Sequence, residues 1–370
     1  MEPFELRGDR VLLSAPTTAD VDRITELCQD PDIRDWTTVP SPYTRMHGEE
    51  FIAQVAEAWA AGTALNWALR DPRDQRPLGM VGLNLDGHGA AEIGFWMAPE
   101  YRGQGLVAAA IRLVIERAFA PEGLGLQSMV WRAYVGNWSS RRVVWRLGFA
   151  FEGTIRSHLV QRGRRRDAWV ATLLPGDPLQ PRTPWLDIPT IHGSRLRLRP
   201  FVDSDAAAVK EACEDPMTRR WLTLPTPYTL ADARGYIDRH AHDAASGRGV
   251  TWAAAHPAGG PALGAFTLTL AGVRHDQASL GYWVHPTARG VGIATEAVRL
   301  LTRHAFIAAD DGGLGLRRVQ VTHTEGNDAS RAVIERTGFR YSGRQRSAVR
   351  LPDGTLADQH WYDLLPEDLI

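Results

Sequence analysis

Residues 289–294 read Arg289-Gly290-Val291-Gly292-Ile293-Ala294, and a second version stands at 102–107 as Arg102-Gly103-Gln104-Gly105-Leu106-Val107. Each follows a strand-like run, Ser279-Leu280-Gly281-Tyr282-Trp283 or Glu92-Ile93-Gly94-Phe95-Trp96. Each precedes a segment with helical apolar spacing. Val107, Ala110, Ile111, Val114 and Ala118 share one face in the first copy, and Ala294, Ala297, Val298, Leu301 and Ala305 share one in the second. A glycine turn that enters a helix aims successive backbone N–H groups at one point. Glycine allows close approach, and the helix dipole favours negative charge there, so the loop is expected to cradle phosphate. Gly103-x-Gly105-x-x-Ala108 also fits a dinucleotide fingerprint, but that motif follows the first strand of its domain. Here the loop follows about the fourth strand, and the second copy has Thr295 where Gly or Ala belongs.

The repetition extends outward from this loop. Gly94 and Gly281 are 187 residues apart, Asp30-Pro31 and Asp215-Pro216 are 185 apart, and Asn137 and Asn327 are 190 apart. Trp36 matches Trp221, Tyr43 matches Tyr228, and Ser140, Gly148 and Phe149 match Ser330, Gly338 and Phe339 in unchanged order. A period of domain length means a duplicated domain and not a solenoid. The seam is the proline-dense stretch PGDPLQPRTPWLDIP at 175–189, which suits neither a helix nor a central strand. The expected division is a first domain over 1–177, a linker over 178–189 and a second domain over 190–370. Each half reads as an opening strand, a helix that stops near Asp-Pro, a Pro-Tyr loop and a second helix. Three strands, the glycine loop with its long helix, a strand, a short helix and two closing strands complete it.

Composition sets bounds on function. The 370 residues are 44% hydrophobic and 23% charged, which is ordinary for a globular protein and excludes global disorder. A net charge of −1 argues against a protein built to neutralise nucleic-acid phosphates. Two cysteines, Cys28 and Cys213, form no disulfide framework and fit a cytosolic setting. No apolar run reaches the length of a membrane span, and the first ten residues have no signal-peptide core. The one lysine, Lys210, is not in a Walker A setting. His240-x-His242 lacks partners at zinc-like spacing, so no metal is assigned.

The ordered motifs resemble those of GNAT-superfamily N-acetyltransferases of the RimJ/RimL-like branch, once in residues 5–175 and again in 190–366. The family motif Q/R-x-x-G-x-G/A matches fully at Arg289 to Ala294, and at Arg102 to Val107 except for Val107 itself. The resemblance implies an α/β chain with two GNAT domains in tandem, each a mixed, mostly antiparallel twisted sheet flanked by helices. It implies acetyl-CoA as cosubstrate, with its pyrophosphate on Arg102, Gly103, Gln104, Gly105, Leu106 and Val107 and on Arg289, Gly290, Val291, Gly292, Ile293 and Ala294. In such folds the fourth and fifth strands splay apart, and their freed backbone groups hold the pantetheine arm and polarise the thioester carbonyl. Asn137 and Asn327 take the place of an asparagine that contacts pantetheine, and Ser140 and Ser330 that of a serine near the sulfur. The implied reaction is direct transfer of acetyl to a primary amine, on a protein N-terminus or a small molecule, through a ternary complex. A larger donor such as succinyl-CoA, or a non-catalytic acyl-CoA-binding protein, is the alternative. The two halves are expected to pair within the chain as separate family members pair in dimers.

Amine acetylation requires removal of a proton from the amine, polarisation of the carbonyl, and stabilisation of the leaving thiolate. Glu92 lies two residues before Gly94 on the same strand face and is the candidate base of the first half. Several GNAT enzymes carry a glutamate base on this strand. The other reading is a salt-bridge partner. The second half has Ser279 at this position, and Glu325 is its alternative base. Ser140 and Ser330 are candidate donors to the thiolate, although Asn and Ser at a helix start also read as caps. The family's usual tyrosine donor has no clear equivalent here, although Tyr134 lies close in sequence. Arg162-Gly163-Arg164-Arg165-Arg166 reads as a solvated hairpin tip.

Overall fold

In the computed structural model, which describes residues 1–272 and 275–369, the first half begins with two short strands, β1 (Leu6–Arg7) and β2 (Leu12–Ser14). Three helices follow, α1 (Val21–Leu27), α2 (Pro31–Trp36) and α3 (Arg45–Ala61), then strands β3 (Ala64–Arg70), β4 (Pro77–Leu85) and β5 (Ala90–Met97). The glycine loop leads into α4 (Leu106–Phe119), then β6 (Ser128–Tyr134), α5 (Trp138–Arg146), β7 (Ala150–Gln161) and β8 (Arg164–Leu173). The second half repeats this as β9 (Ile191–His192), β10 (Arg197–Arg199), α6 (Ala206–Glu214), α7 (Pro216–Trp221), α8 (Leu230–Ala245), β11 (Gly249–Ala255), β12 (Gly264–Ala271) and β13 (Gln277–Val284). It closes with α9 (Ile293–Phe306), β14 (Arg318–Thr324), α10 (Asp328–Arg336), β15 (Arg340–Arg350) and β16 (Leu356–Leu364).

Each half forms one eight-stranded sheet, in the order β1-β2-β3-β4-β5-β6-β8-β7 and β9-β10-β11-β12-β13-β14-β16-β15. The pairings are antiparallel except β5 with β6 and β13 with β14, which are parallel. Each parallel pair is joined through a helix, as a crossover requires. The sheets are therefore mixed and mostly antiparallel, as the resemblance implied.

Alternation along β5 explains the layers. Ile93 is 1% exposed and joins Trp67, Leu83 and Trp131 in an apolar layer with Ile111 and Val114 of α4. Trp96, of opposite parity, packs against a smaller cluster of Val21, Ile24, Ile33 and Tyr43 from the α1–α3 region. Cys28 is buried in that cluster, and burial pushes its thiol up to about 12, as suits a packing residue.

Two local features go beyond the sequence reading. Asp-Pro does not only end a helix: Asp30 and Asp215 cap a further one, accepting from Ile33 N and Thr218 N, with the proline in the first turn. The acidic residue before the first helix of each half, Asp20 or Asp205, is buried. Asp20 is buried in a bidentate pair with Arg70 of β3, at 2.7 and 2.8 Å, and Asp205 makes the same pair with Arg199 of β10, at 2.7 and 2.9 Å. The carboxylate is repeated, but the guanidinium comes from a different strand in each half.

The chain divides into compact units Met1–Arg182 and Thr183–Ile370. Residues before the division dock on the first unit: Arg182 donates to Gly148 O at 2.7 Å, and Arg112 donates to Leu179 O at 2.9 Å. Those after it dock on the second, where Leu186 N donates to Ala244 O and Trp252 Nε1 to Pro189 O. No helix among the described residues is long and apolar enough to cross a membrane.

Candidate functional site

In each unit the parallel pairing stops partway. The register of β5 with β6 ends at Ile93 and Trp131, although the strands run on to Met97 and Tyr134. The register of β13 with β14 ends at Leu280 and Val321. The strands part there, leaving backbone groups of Gly94 to Met97 and Gly281 to Val284 facing a gap. A Cβ added to Gly94 or Gly281 would meet nothing within 4 Å, so both glycines open space beside the gap.

A cavity of about 550 Å³ occupies this region in each unit, within the usual size of a small-ligand site. In the first unit its walls include Arg102, Gly103, Gly105, Leu106, Val107, Asn137 and Ser140. In the second they include Arg289, Gly290, Gly292, Ile293, Ala294, Asn327 and Ser330. Gln104 and Val291 are not among the lining residues. The loop bends through left-handed glycines, with φ of 76° and 77° at Gly103 and Gly105 and 76° and 84° at Gly290 and Gly292. The first-turn N–H groups of α4 and α9 have no acceptor within their helix and are available to an anion. A carbon added at Gly103 or Gly290 would meet nothing within 4 Å, so the backbone is open to a ligand. This cradle fits a pyrophosphate.

The sequence reading missed three features of the loop. The motif arginines are latches. Arg102 bonds Asp30, and Asp32 at 2.6 Å, while its Nε donates to Met97 O. Arg289 donates to Asp215 at 2.7 Å, to Thr218 Oγ1 at 2.8 Å and to Val284 O. The Asp-Pro pairs were legible as repeat markers. Only the fold shows that they are tied to the glycine loop. Second, Arg10 and Arg195 stand beside it, donating to Gln104 O at 2.9 Å and Val291 O at 3.2 Å. Third, Arg195 is paired with Glu296 at 2.9 Å, whereas the first unit has Ala109 at that position.

Burial opposes the ionised form of Asp215, but Arg289 and the Thr218 N–H outweigh it and hold the carboxyl below its ordinary 3.8. Asp215→Ala removes both a cap and an ion pair. It is expected to cost about 1–2 kcal/mol, read as a lowered Tm at pH 7. The depressed folded-state value means that this contribution is present above the unfolded value and is lost as pH falls. The difference between variant and wild type should therefore shrink in acid.

Asn137 and Asn327 cap α5 and α10, accepting from Ser140 N at 3.1 Å and Ser330 N at 3.2 Å. The caps fix both serines at the cavity wall. Glu92 has Gly94 two residues on along its face of β5, and its carboxylate is bonded by Arg132. It is not among the residues that line the cavity, whose β5 walls are Phe95, Trp96 and Met97 farther along the strand. Glu325 is mostly exposed and lies 4.0 Å from Arg344 and from His360. The Tyr134 hydroxyl donates to Val160 O at 3.3 Å, and the Arg166 guanidinium covers its ring. Trp36 and Trp221 line the cavities and also pack on the turn glycines, where a Cβ on Gly136 or Gly326 would meet them at 3.1 or 3.6 Å. Arg162 and Gly163 form the two-residue turn between β7 and β8.

The acetyltransferase (GNAT) domain family matches residues 10–150 and again residues 195–340. The chain belongs to this family. Its similar proteins include the putative ribosomal N-acetyltransferase YdaF of Bacillus subtilis (strain 168), 43% identical over 98 residues. That match spans 26% of this chain and about half, 52%, of the relative. The uncharacterized N-acetyltransferase YoaA of the same organism is 24% identical over 177 residues, 48% of this chain and 97% of that protein. Mycobacterium smegmatis RimJ in complex with CoA-disulfide is 24% identical with a TM-score of 0.43, covering 50% of this chain and 90% of that one. Each matched range contains the glycine loop and the parted strand pair of one unit.

Proposed function

We propose that this GNAT chain transfers acetyl from acetyl-CoA directly to a primary amine within a ternary complex. The observation that carries the reading is the coincidence, in each unit, of an anion cradle, a parted parallel strand pair and a capped serine around one cavity of about 550 Å³. The cradle supplies N–H groups to the pyrophosphate. The unpaired edge of β5 or β13 supplies an N–H to the thioester carbonyl, where charge develops in the transition state. The amine nitrogen bonds to the carbonyl carbon, the C–S bond breaks, and its electron pair goes to sulfur. Ser140 or Ser330 donates a hydrogen bond to that sulfur. In the first unit Glu92, on the face away from α4, accepts the amine proton. Arg132 orients its carboxylate.

The likeness to ribosomal N-acetyltransferases favours a protein N-terminus as acceptor, in a soluble cytoplasmic setting. Acetyl-CoA turnover, followed as free thiol against N-terminal peptides, polyamines and aminoglycosides, tests this. Mass spectrometry then locates the acetyl group. Thiol release with an N-terminal peptide is the expected result. Turnover with succinyl-CoA only, or tight CoA binding without any turnover, would overturn it in favour of a different acyl donor or a binding protein.

A further inference from the structure

The two cavity serines are each met by a hydrogen-bonding side chain, but from different strands. In the first unit Trp131 of β6 donates its indole N–H to Ser140 Oγ at 3.0 Å. In the second unit the position of Trp131 is held by Val321. There the partner is Tyr282 of β13, whose hydroxyl lies 3.0 Å from Ser330 Oγ and 3.3 Å from Ser330 O. The first unit has Phe95 at the position of Tyr282. The exchange is reciprocal: tryptophan with phenylalanine in one unit, valine with tyrosine in the other.

An indole N–H is a donor only. Ser140 Oγ must accept from it, which frees the serine proton to point elsewhere, and the cavity is what Ser140 lines. A tyrosine hydroxyl can do either. Two observations favour donation by Tyr282. Its contact to the serine hydroxyl is shorter than its contact to the carbonyl, and Ser330 O lies within the α10 hydrogen-bond ladder. Burial also pushes Tyr282 up to about 12, so it keeps its proton at neutral pH.

We infer that Trp131 and Tyr282 are positioning residues that turn the Ser140 and Ser330 hydroxyls into hydrogen-bond donors aimed at the thioester sulfur. The inference rests on the acyl-CoA reading above. No proton changes owner at the serine. An ordinary thiol, near ~8.5, is far more acidic than a serine or tyrosine hydroxyl, so the donor stabilises the thiolate without surrendering its hydrogen. The proton lost by the amine, passed through base and solvent, is the one the thiolate finally takes. Each unit thus reaches the same hydroxyl orientation by a different route.

Coenzyme A itself is the probe, so no acceptor has to be known. The ultraviolet absorbance of the thiolate is titrated for CoA bound to the full chain. The bound thiols are expected to titrate below the free value. Trp131→Phe and Tyr282→Phe should each raise one of them by about one pH unit, the scale of one lost donor to a charged group. Tyr282→Phe installs the residue that the first unit already carries. Ser140→Ala and Ser330→Ala should reproduce the shifts of their partners, and each double variant should add nothing further. If Trp131→Phe disturbs its core, Ser140→Ala still reports the first site, and near-ultraviolet dichroism identifies that case. CoA that binds with thiol titration unchanged in both partner variants would overturn the inference. So would a Tyr282→Phe shift in the opposite direction, which would mean that Ser330 donates to the tyrosine. CoA that does not bind the wild-type chain would overturn the acyl-CoA reading instead.

Discussion

Replacing Gly292 with glutamate is expected to abolish CoA binding in the second unit, with a loss of at least about 100-fold. The matching Gly105→Glu should do the same in the first. Two effects add. Both glycines are left-handed, at 84° and 77°, where a side chain is strained by about 1–2 kcal/mol. A carboxylate placed at the helix N-terminus would occupy the anion cradle and repel phosphate. Calorimetry with acetyl-CoA should give two sites for the wild-type chain and one for each variant. We expect the second site to be tighter. Val107 adds bulk at the first turn where the second unit has Ala294, and that steric cost is not screened by solvent. Arg10, unopposed by a carboxylate at position 109, favours the first unit. It is an exposed charge worth about 1 kcal/mol at most. Two unchanged sites in both variants would exclude the glycine loops as the cofactor cradle.

Glu92→Gln is expected to lower turnover at neutral pH by at least about tenfold, within the roughly 10²–10⁴-fold range of general base catalysis. An alkyl amine with a pKa near ~10.4 is almost wholly protonated at pH 7, and a positioned carboxylate removes that proton as the bond to carbon forms. The deficit should shrink at high pH, where the amine is already neutral. The Arg132 ion pair frames the test. If the carboxylate serves only that pair, Glu92→Gln lowers stability and leaves the pH profile of turnover unchanged. Ser330→Ala is expected to reduce turnover much less than Ser140→Ala, because the second unit has Ser279 where a base is required. Wild-type turnover in Glu92→Gln across pH, together with its loss in Ser330→Ala, would place the chemistry in the second unit.

The duplication, the strand and helix order and the glycine loop ahead of each long helix were legible without coordinates, because each is written in local spacing. A glycine pair between a strand and an amphipathic helix has few physical uses, and finding it twice leaves fewer. Alternation along β5 also put Glu92 and Gly94 on one face. What the spacing cannot contain is a partner distant in sequence. Asp30 read as a helix end, yet it caps α2 and holds Arg102, 72 residues away. Glu92 read equally as a base or as half of a salt bridge, and the parallel register of β5 with β6 is what brings Arg132 to it. Asp20 and Asp205 repeat in sequence, but the sheet decides that one meets Arg70 of β3 and the other Arg199 of β10. Ser140 and Ser330 read as equivalents, and only packing distinguishes the indole behind one from the phenol behind the other. Periodicity and turn chemistry act over a few residues and are carried by the chain itself. The pairing of side chains across strands is set by register and by the depth of the core, which exist only once the sheet has closed.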